Sequence, residues 1–311
     1  MSFATINDDI LRTLRPPGRV YYAGLALALA ALSIGVLAFL YQARTGMGVA
    51  GYEHPVLWAV YITNFVFWVG IAHSGTLISA ILFLFRAKWR TAVARAAEAM
   101  TVFAVVTAAL FPIIHLGRPW FFYWLIPYPN ARELWVNFRS PLIWDVFAIT
   151  TYLTVSVMFL YLGLMPDLAA ARDRITDWRR QVYRVLSLGW LGTDRQWRHY
   201  MALYGFFAAL ATPLVVSVHS VVSWDFAVAI VPGWHTTIFA PYFVAGAIYS
   251  GVAMVITLTV PLRKAFRLEA YLTNRHYDAM AKLCLFTSMI VFYAYLSEFF
   301  MAWYSGEEVE R

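Results

Sequence analysis

The sequence predicts an all-α polytopic membrane protein with seven transmembrane helices, and three observations point there. Of its 311 residues 61% are hydrophobic and 13% charged, with a mean hydropathy of +0.63, a balance suited to lipid rather than to an aqueous surface. Seven windows reach the ~20 apolar residues needed to cross a bilayer. The 24 Lys and Arg residues gather between alternate windows, as loops on one side of a membrane do.

The windows fall at 20–41, 56–85, 93–116, 141–165, 199–222, 236–262 and 279–303. The first follows Arg12, Arg15 and Arg19, lacks a small-residue cleavage site and ends in Tyr41-Gln42-Ala43-Arg44. It reads as a retained helix, not a signal peptide. The third stops at His115-Leu-Gly-Arg-Pro, where Gly117 and Pro119 break a helix. The fourth opens with Ser140 as its N-cap and Pro141 in its first turn. Residues 166–198 mix both signs of charge with Leu and Trp, the pattern of a cytoplasmic helix lying at headgroup level.

Nineteen of the basic residues lie in the N-terminal tail and in the second, fourth and sixth connections. The positive-inside rule then places residues 1–19 in the cytoplasm and the 42–55, 117–140 and 219–240 connections outside, together with the tail 304–311. Outward segments 118–129 and 221–240 are strongly apolar, and the second carries no Lys or Arg. Such surfaces suit headgroup anchoring or a docked partner. The charge placement shows no basic-aromatic pattern for nucleic acid.

Cys284 stands alone inside an apolar span, so an intrachain disulfide is ruled out and no spacing suggests zinc, an iron–sulfur cluster or c-type haem. His73 reads as mid-span and His54, His115, His219 and His235 as near the outer ends, so no two histidines sit at matching depth for a transmembrane bis-His haem. The expectation is a chain without intrinsic metal or haem, whose redox centres belong to partners. No phosphate loop, Ser-His-Asp order or metalloprotease helix occurs in it.

Ionisable groups are costly in a bilayer, and three of them sit at one membrane face: His115, Asp145 and Asp225. A short outer connection makes the third and fourth spans antiparallel neighbours, so His115 and Asp145 share a depth. Asp225 follows the fifth span within the apolar outer loop. Trp144, Phe147 and Trp224 would desolvate the acids, while Arg118 and Arg139 would favour their charged forms. A group balanced in this way takes up and releases protons near neutral pH. Each residue also has a structural use, His115 as a hydrogen-bonded helix end and the acids as caps.

His115-Leu-Gly-Arg-Pro-Trp, Tyr123-Trp-Leu-Ile-Pro-Tyr-Pro, Ser140-Pro-Leu-Ile-Trp-Asp-Val-Phe-Ala and Tyr161-Leu-Gly-Leu-Met-Pro-Asp-Leu-Ala resemble the NrfD/polysulfide-reductase family of membrane proteins, and within it the quinol-binding membrane component of alternative complex III. The resemblance spans most of residues 55–303. It implies a flanking helix at 20–41, a first four-helix bundle over 56–222 and part of a second over 236–303. It further implies a quinol site near the outer face of a bacterial inner membrane, with catalytic His115, Asp145 and Asp225, and with Arg118, Trp144 and Trp224 around the ligand. Menaquinone is expected in preference to ubiquinone. Electrons would pass to an iron–sulfur subunit outside and on to multihaem and monohaem cytochrome c subunits, beside a homologous NrfD-like membrane subunit, with protons released outside.

His73 and Glu298 interrupt other apolar runs and, with Asn64, Ser74 and Thr76, are expected along a proton path or in helix–helix hydrogen bonds. The alternative within the same chemistry is a quinone-linked anchor of a molybdenum reductase of the polysulfide type. A proton-coupled transporter, resting on His73 and Glu298, and a purely structural anchor are the readings from other classes.

Overall fold

The computed structural model describes residues 5–6, 8–9, 12–14, 16–51, 59–126, 140–228, 238–306 and 308. Among these it is all-helical: α1 Arg19–Thr45, α2 Ala59–Thr76, α3 Ala94–Ile114, α4 Pro141–Arg172, α5 Arg179–Leu186, α6 Asp194–Ala227, α7 Phe239–Ala265 and α8 Asn274–Ser305. All but α5 include a stretch long and apolar enough to span a bilayer. Expectation and structure agree on seven spans, which is what uninterrupted hydrophobic runs dictate once every backbone group must be satisfied within its own segment.

Helix α2 is the axis of the molecule. Every residue from Val69 to Ala80 is buried, so this stretch is enclosed on all sides, its His73, Ser74, Thr76 and Ser79 included. It continues through a π-turn, Leu77–Ile81, to Leu84. Helices α3 and α7 pack on it, α4 packs on α6, α6 on α7, and α8 on the outer side of α7.

Small residues set the closest approaches, since without a hydrophobic drive in lipid it is close packing that holds helices together. A side chain at Gly75 would collide with Thr101 Oγ1 and the Ala97 carbonyl of α3, and one at Gly251 of α7 with Ser74 Oγ. Thr101 bridges the α2–α3 contact through its Oγ1, donated at 2.9 Å to the Ala72 carbonyl.

Helix α1 stands apart, with Gln42 alone buried. Helix α6 begins in a capping box, Gln196 N donating to Thr193 Oγ1 and Thr193 N to Gln196 Oε1, both at 3.3 Å. It runs past the expected end at 222 to Ala227. Segment 166–198, expected to hold one surface helix, instead contains the last turns of α4, the two-turn α5 and the start of α6. Ser140 does occupy the N-cap of α4, though its side chain caps nothing.

Candidate functional site

At the end of the bundle where α3 stops, a cavity of about 250 Å³ opens between α2, α3, α4, α6 and the 3-10 segment Pro119–Leu125. Tyr61, Phe65, Pro112, Phe122, Leu142 and Ile149 supply much of its apolar wall. His115, Asp145 and Asp225 supply the chemistry.

Each polar group arrives for a local reason. His115 is the C-cap of α3, its backbone N–H bonded to Phe111 O at 3.0 Å. The chain then turns through Gly117 at φ +71°, where a side chain would also strike Met47, so this glycine of the Leu-Gly-Arg-Pro motif is required twice over. The His115 ring contacts the Phe111 carbonyl at 3.0 Å. A carbonyl can only accept, so Nδ1 carries the hydrogen and Nε2 the lone pair. Burial lowers the His115 pKa below the ordinary imidazole value, against hydrogen bonds to the Phe111 and Pro112 backbone that raise it. Burial therefore favours the neutral ring.

Asp145 lies one turn into α4, 6% exposed. Asp225 sits in the last turn of α6 rather than in a loop, because that helix extends further than its apolar window. The two carboxyl groups are within hydrogen-bonding reach of each other. In each, Oδ1 is buried without a hydrogen-bond partner among the described residues. Such groups are rare in folded proteins and ask for an explanation.

Arg118, Trp144 and Trp224 are near but do not line the cavity. Arg118 is exposed at the start of the 3-10 segment. The two indoles pack edge to face, ring centroids 5.8 Å apart, and brace α4 against α6 behind the acids. Arg139, His54 and His235 lie outside the described residues.

Gln42, not anticipated from the sequence as part of the site, supports the wall from behind. Gln42 donates to the Ile114 carbonyl at 3.2 Å and accepts from the Tyr61 hydroxyl, whose ring borders the cavity. The buried residue of α1 thus clamps the end of α3 beside His115. Its only sequence signal is an amide just past the end of an apolar run.

Deeper in the bundle the histidine depths need correction. His219 lies not at the outer end but beside His73, ring centroids 4.5 Å apart, and both are fully buried. The longer α6 carries it eight residues inside the helix end. His73 also stacks on Tyr152 at 4.5 Å, and the Tyr152 hydroxyl donates to Ala72 O at 2.9 Å and pairs with Thr76 Oγ1 at 2.8 Å. Rings in direct contact leave no room for a haem between them. His73, Thr76, Tyr152 and His219 form one buried polar group; Ser74 bonds to Ile71 O instead, Asn64 to Val60 O, and Glu298 lies on α8, the helix packed on the outer side of α7.

Below that group, towards the arginine-rich end, Glu98 is 4% exposed. It pairs with Arg95 at 2.8 Å and accepts from Tyr204 Oη at 2.7 Å. Arg95 also reaches Asp167 at 2.8 Å and the Gly163 carbonyl. Among the described residues no group of three His, Cys, Asp or Glu side chains is arranged to hold a metal ion.

Residues 48–310 match the family described as Polysulphide reductase, NrfD. The chain belongs to this family. It is 29% identical over 272 residues to a protein of Halobacterium salinarum named provisionally as a membrane subunit of dimethyl sulfoxide reductase, covering 87% of this chain and 57% of that one. It is 22% identical over 235 residues to a selenate reductase subunit of Mesobacillus selenatarsenatis, covering 72% and 53%. This NrfD-family chain therefore spans about half the length of the curated relatives it matches. Both relatives are named for reductases, and neither is named for alternative complex III, the narrower resemblance read from the motifs.

Proposed function

We propose that this chain is the quinol-oxidising membrane subunit of a multisubunit respiratory reductase, delivering electrons through an iron–sulfur subunit to a molybdenum catalytic subunit that reduces a sulfoxide or an oxyanion. The observation that carries it is the apolar cavity in which two buried carboxyl oxygens, without hydrogen-bond partners among the described residues, lie beside the His115 imidazole. A quinol head offers two hydroxyl donors on an apolar ring, which is what that wall and those acceptors fit.

Oxidising a quinol to a quinone releases two protons and two electrons. His115 Nε2 accepts one hydroxyl hydrogen; the Asp145–Asp225 pair, which in contact already shares one proton and so carries a single negative charge, accepts the other and becomes neutral. Phe65, Phe122 and Ile149 keep water from the reacting hydroxyls, and Tyr61, held by Gln42, fixes the rim. Electrons leave to partner metal centres, and the protein groups release their protons on the face where the cavity opens. The isoprenoid tail lies in lipid, with menaquinone the preferred substrate. His73, Thr76, Tyr152 and His219 extend the polar interior inward and are the residues of this chain best placed to pass protons; Ser74 is adjacent, and Asn64 and Glu298 have less support.

The test is purification of the tagged chain from its native membrane with its associated subunits. Molybdopterin and iron–sulfur centres that are reduced on adding a menaquinol analogue support the reading. Multihaem cytochrome c subunits without molybdenum would transfer it to the alternative complex III type. Absence of any redox partner would overturn it in favour of transport or structural anchoring.

A further inference from the structure

At the opposite end of the bundle, the turn after α4 and the helix α5 build a feature the quinol chemistry does not use. Arg172, Asp177, Arg180, Gln181 and Arg184 line a cleft of about 480 Å³. Arg180 and Arg184 are four residues apart and so share one face of α5. Among the described residues neither of them takes part in an ion pair. The nearby acids pair directly with other arginines, Asp177 with Arg179 at 2.7 Å and Asp173 with Arg172 at 2.8 Å, while Arg180 reaches Asp173 only through its charge.

The cleft is held in place. Arg172 Nη1 donates to Ser187 Oγ at 3.2 Å, Ser187 is fully buried, and the Tyr161 hydroxyl donates to Leu186 O at 2.7 Å. These contacts fasten both sides of α5's C-terminal end to α4. Arg179 is tied separately, to Asp177 and to Leu14 O at 3.2 Å.

The opposite side of α5 is apolar and uncovered. Val182, Val185 and Leu186 project from it, followed by Leu188 and Leu191 and preceded by Trp178, the last two 75% and 76% exposed. A two-turn helix with this division lies in the headgroup layer, valines and leucines among acyl chains and arginines at the level of the phosphates. We infer that this cleft, through Arg180 and Arg184, binds the phosphate group of an anionic phospholipid of that leaflet, with Arg172, tied to Asp173 and Ser187, as its wall. Free phosphate offers the same charge, but the apolar face beside the cleft continues into the acyl region, and only a lipid uses both.

The experiment is native mass spectrometry of the delipidated full-length chain, titrated with phosphatidylglycerol or with phosphatidylcholine. The wild-type chain is expected to bind phosphatidylglycerol in preference. The double variant Arg180→Gln, Arg184→Gln should weaken that binding about 30-fold, two basic contacts being removed at the surface, while phosphatidylcholine binding stays unchanged. Arg195→Gln, on the first turn of α6, is the control and should bind like wild type. Equal affinity of the wild-type chain for the two lipids overturns the inference even where the double variant fails to fold. So does undiminished phosphatidylglycerol binding in the double variant, and so does displacement of the lipid by millimolar inorganic phosphate, which would mark an aqueous anion site.

Discussion

Asp145 and His115 divide the proposed work, and their variants should fail differently. Asp145→Asn keeps volume and hydrogen bonding but removes a proton acceptor. Quinol-dependent electron transfer in membranes should fall about 10²-fold, the usual scale for losing a positioned base, with binding of a quinone analogue retained. An unchanged rate would remove Asp145 from the chemistry. For His115 the prediction concerns pH. Only the neutral ring accepts a proton, so turnover falls as pH drops through its pKa. Burial holds that pKa below the ordinary ~6.5, which places the acid limb of the profile below pH 6.5 and should make it vanish in His115→Gln. A limb above pH 6.5, or one that persists in the variant, would assign the titration to another group. These residues were legible in the sequence because each interrupts an apolar run at a helix end. His219 and Tyr152 were not, since burial depth depends on where a helix stops and on which ring it meets across the bundle, and neither is a local property.

At the scale of elements, the apolar runs marked the seven spans, but the contacts between them rest on single side chains far apart in sequence. Arg95, one of the nineteen basic residues that the charge count places in the connections, holds Glu98 where α3 meets Tyr204 of α6, 106 residues along the chain. Tyr204→Phe removes a donor from a buried carboxylate and should cost about 1–3 kcal/mol, seen as a lower melting temperature in detergent. An unshifted melting curve would show that Arg95 alone satisfies Glu98. Gly75 makes the companion case for α2 and α3. Gly75→Ala places a methyl against Thr101 and the Ala97 carbonyl, an overpacking that should cost about 1–3 kcal/mol. A gain in stability from this variant, the ordinary result of Gly→Ala within a helix, would mean the two helices part freely.

For the whole molecule the decisive quantity is orientation, because it sets where protons are released and which partner reaches the cavity. The structure puts His115, Asp145, Asp225 and the 3-10 segment Pro119–Leu125 at one end. The turns that follow α4 and α7 lie at the other, with Arg174, Arg180, Arg184, Lys264 and Arg267. Basic residues are retained on the cytoplasmic side, so the cavity should face outward, against the proposed iron–sulfur partner. Arg118 and Glu269 are exposed at the two ends and serve as reporters once Cys284 is replaced by Ser. An impermeant maleimide added to intact cells should label Arg118→Cys, and should label Glu269→Cys only after the membrane is opened. The reverse pattern would turn the molecule over, release the protons into the cytoplasm and move the docking surface for the catalytic subunits to the arginine-rich face.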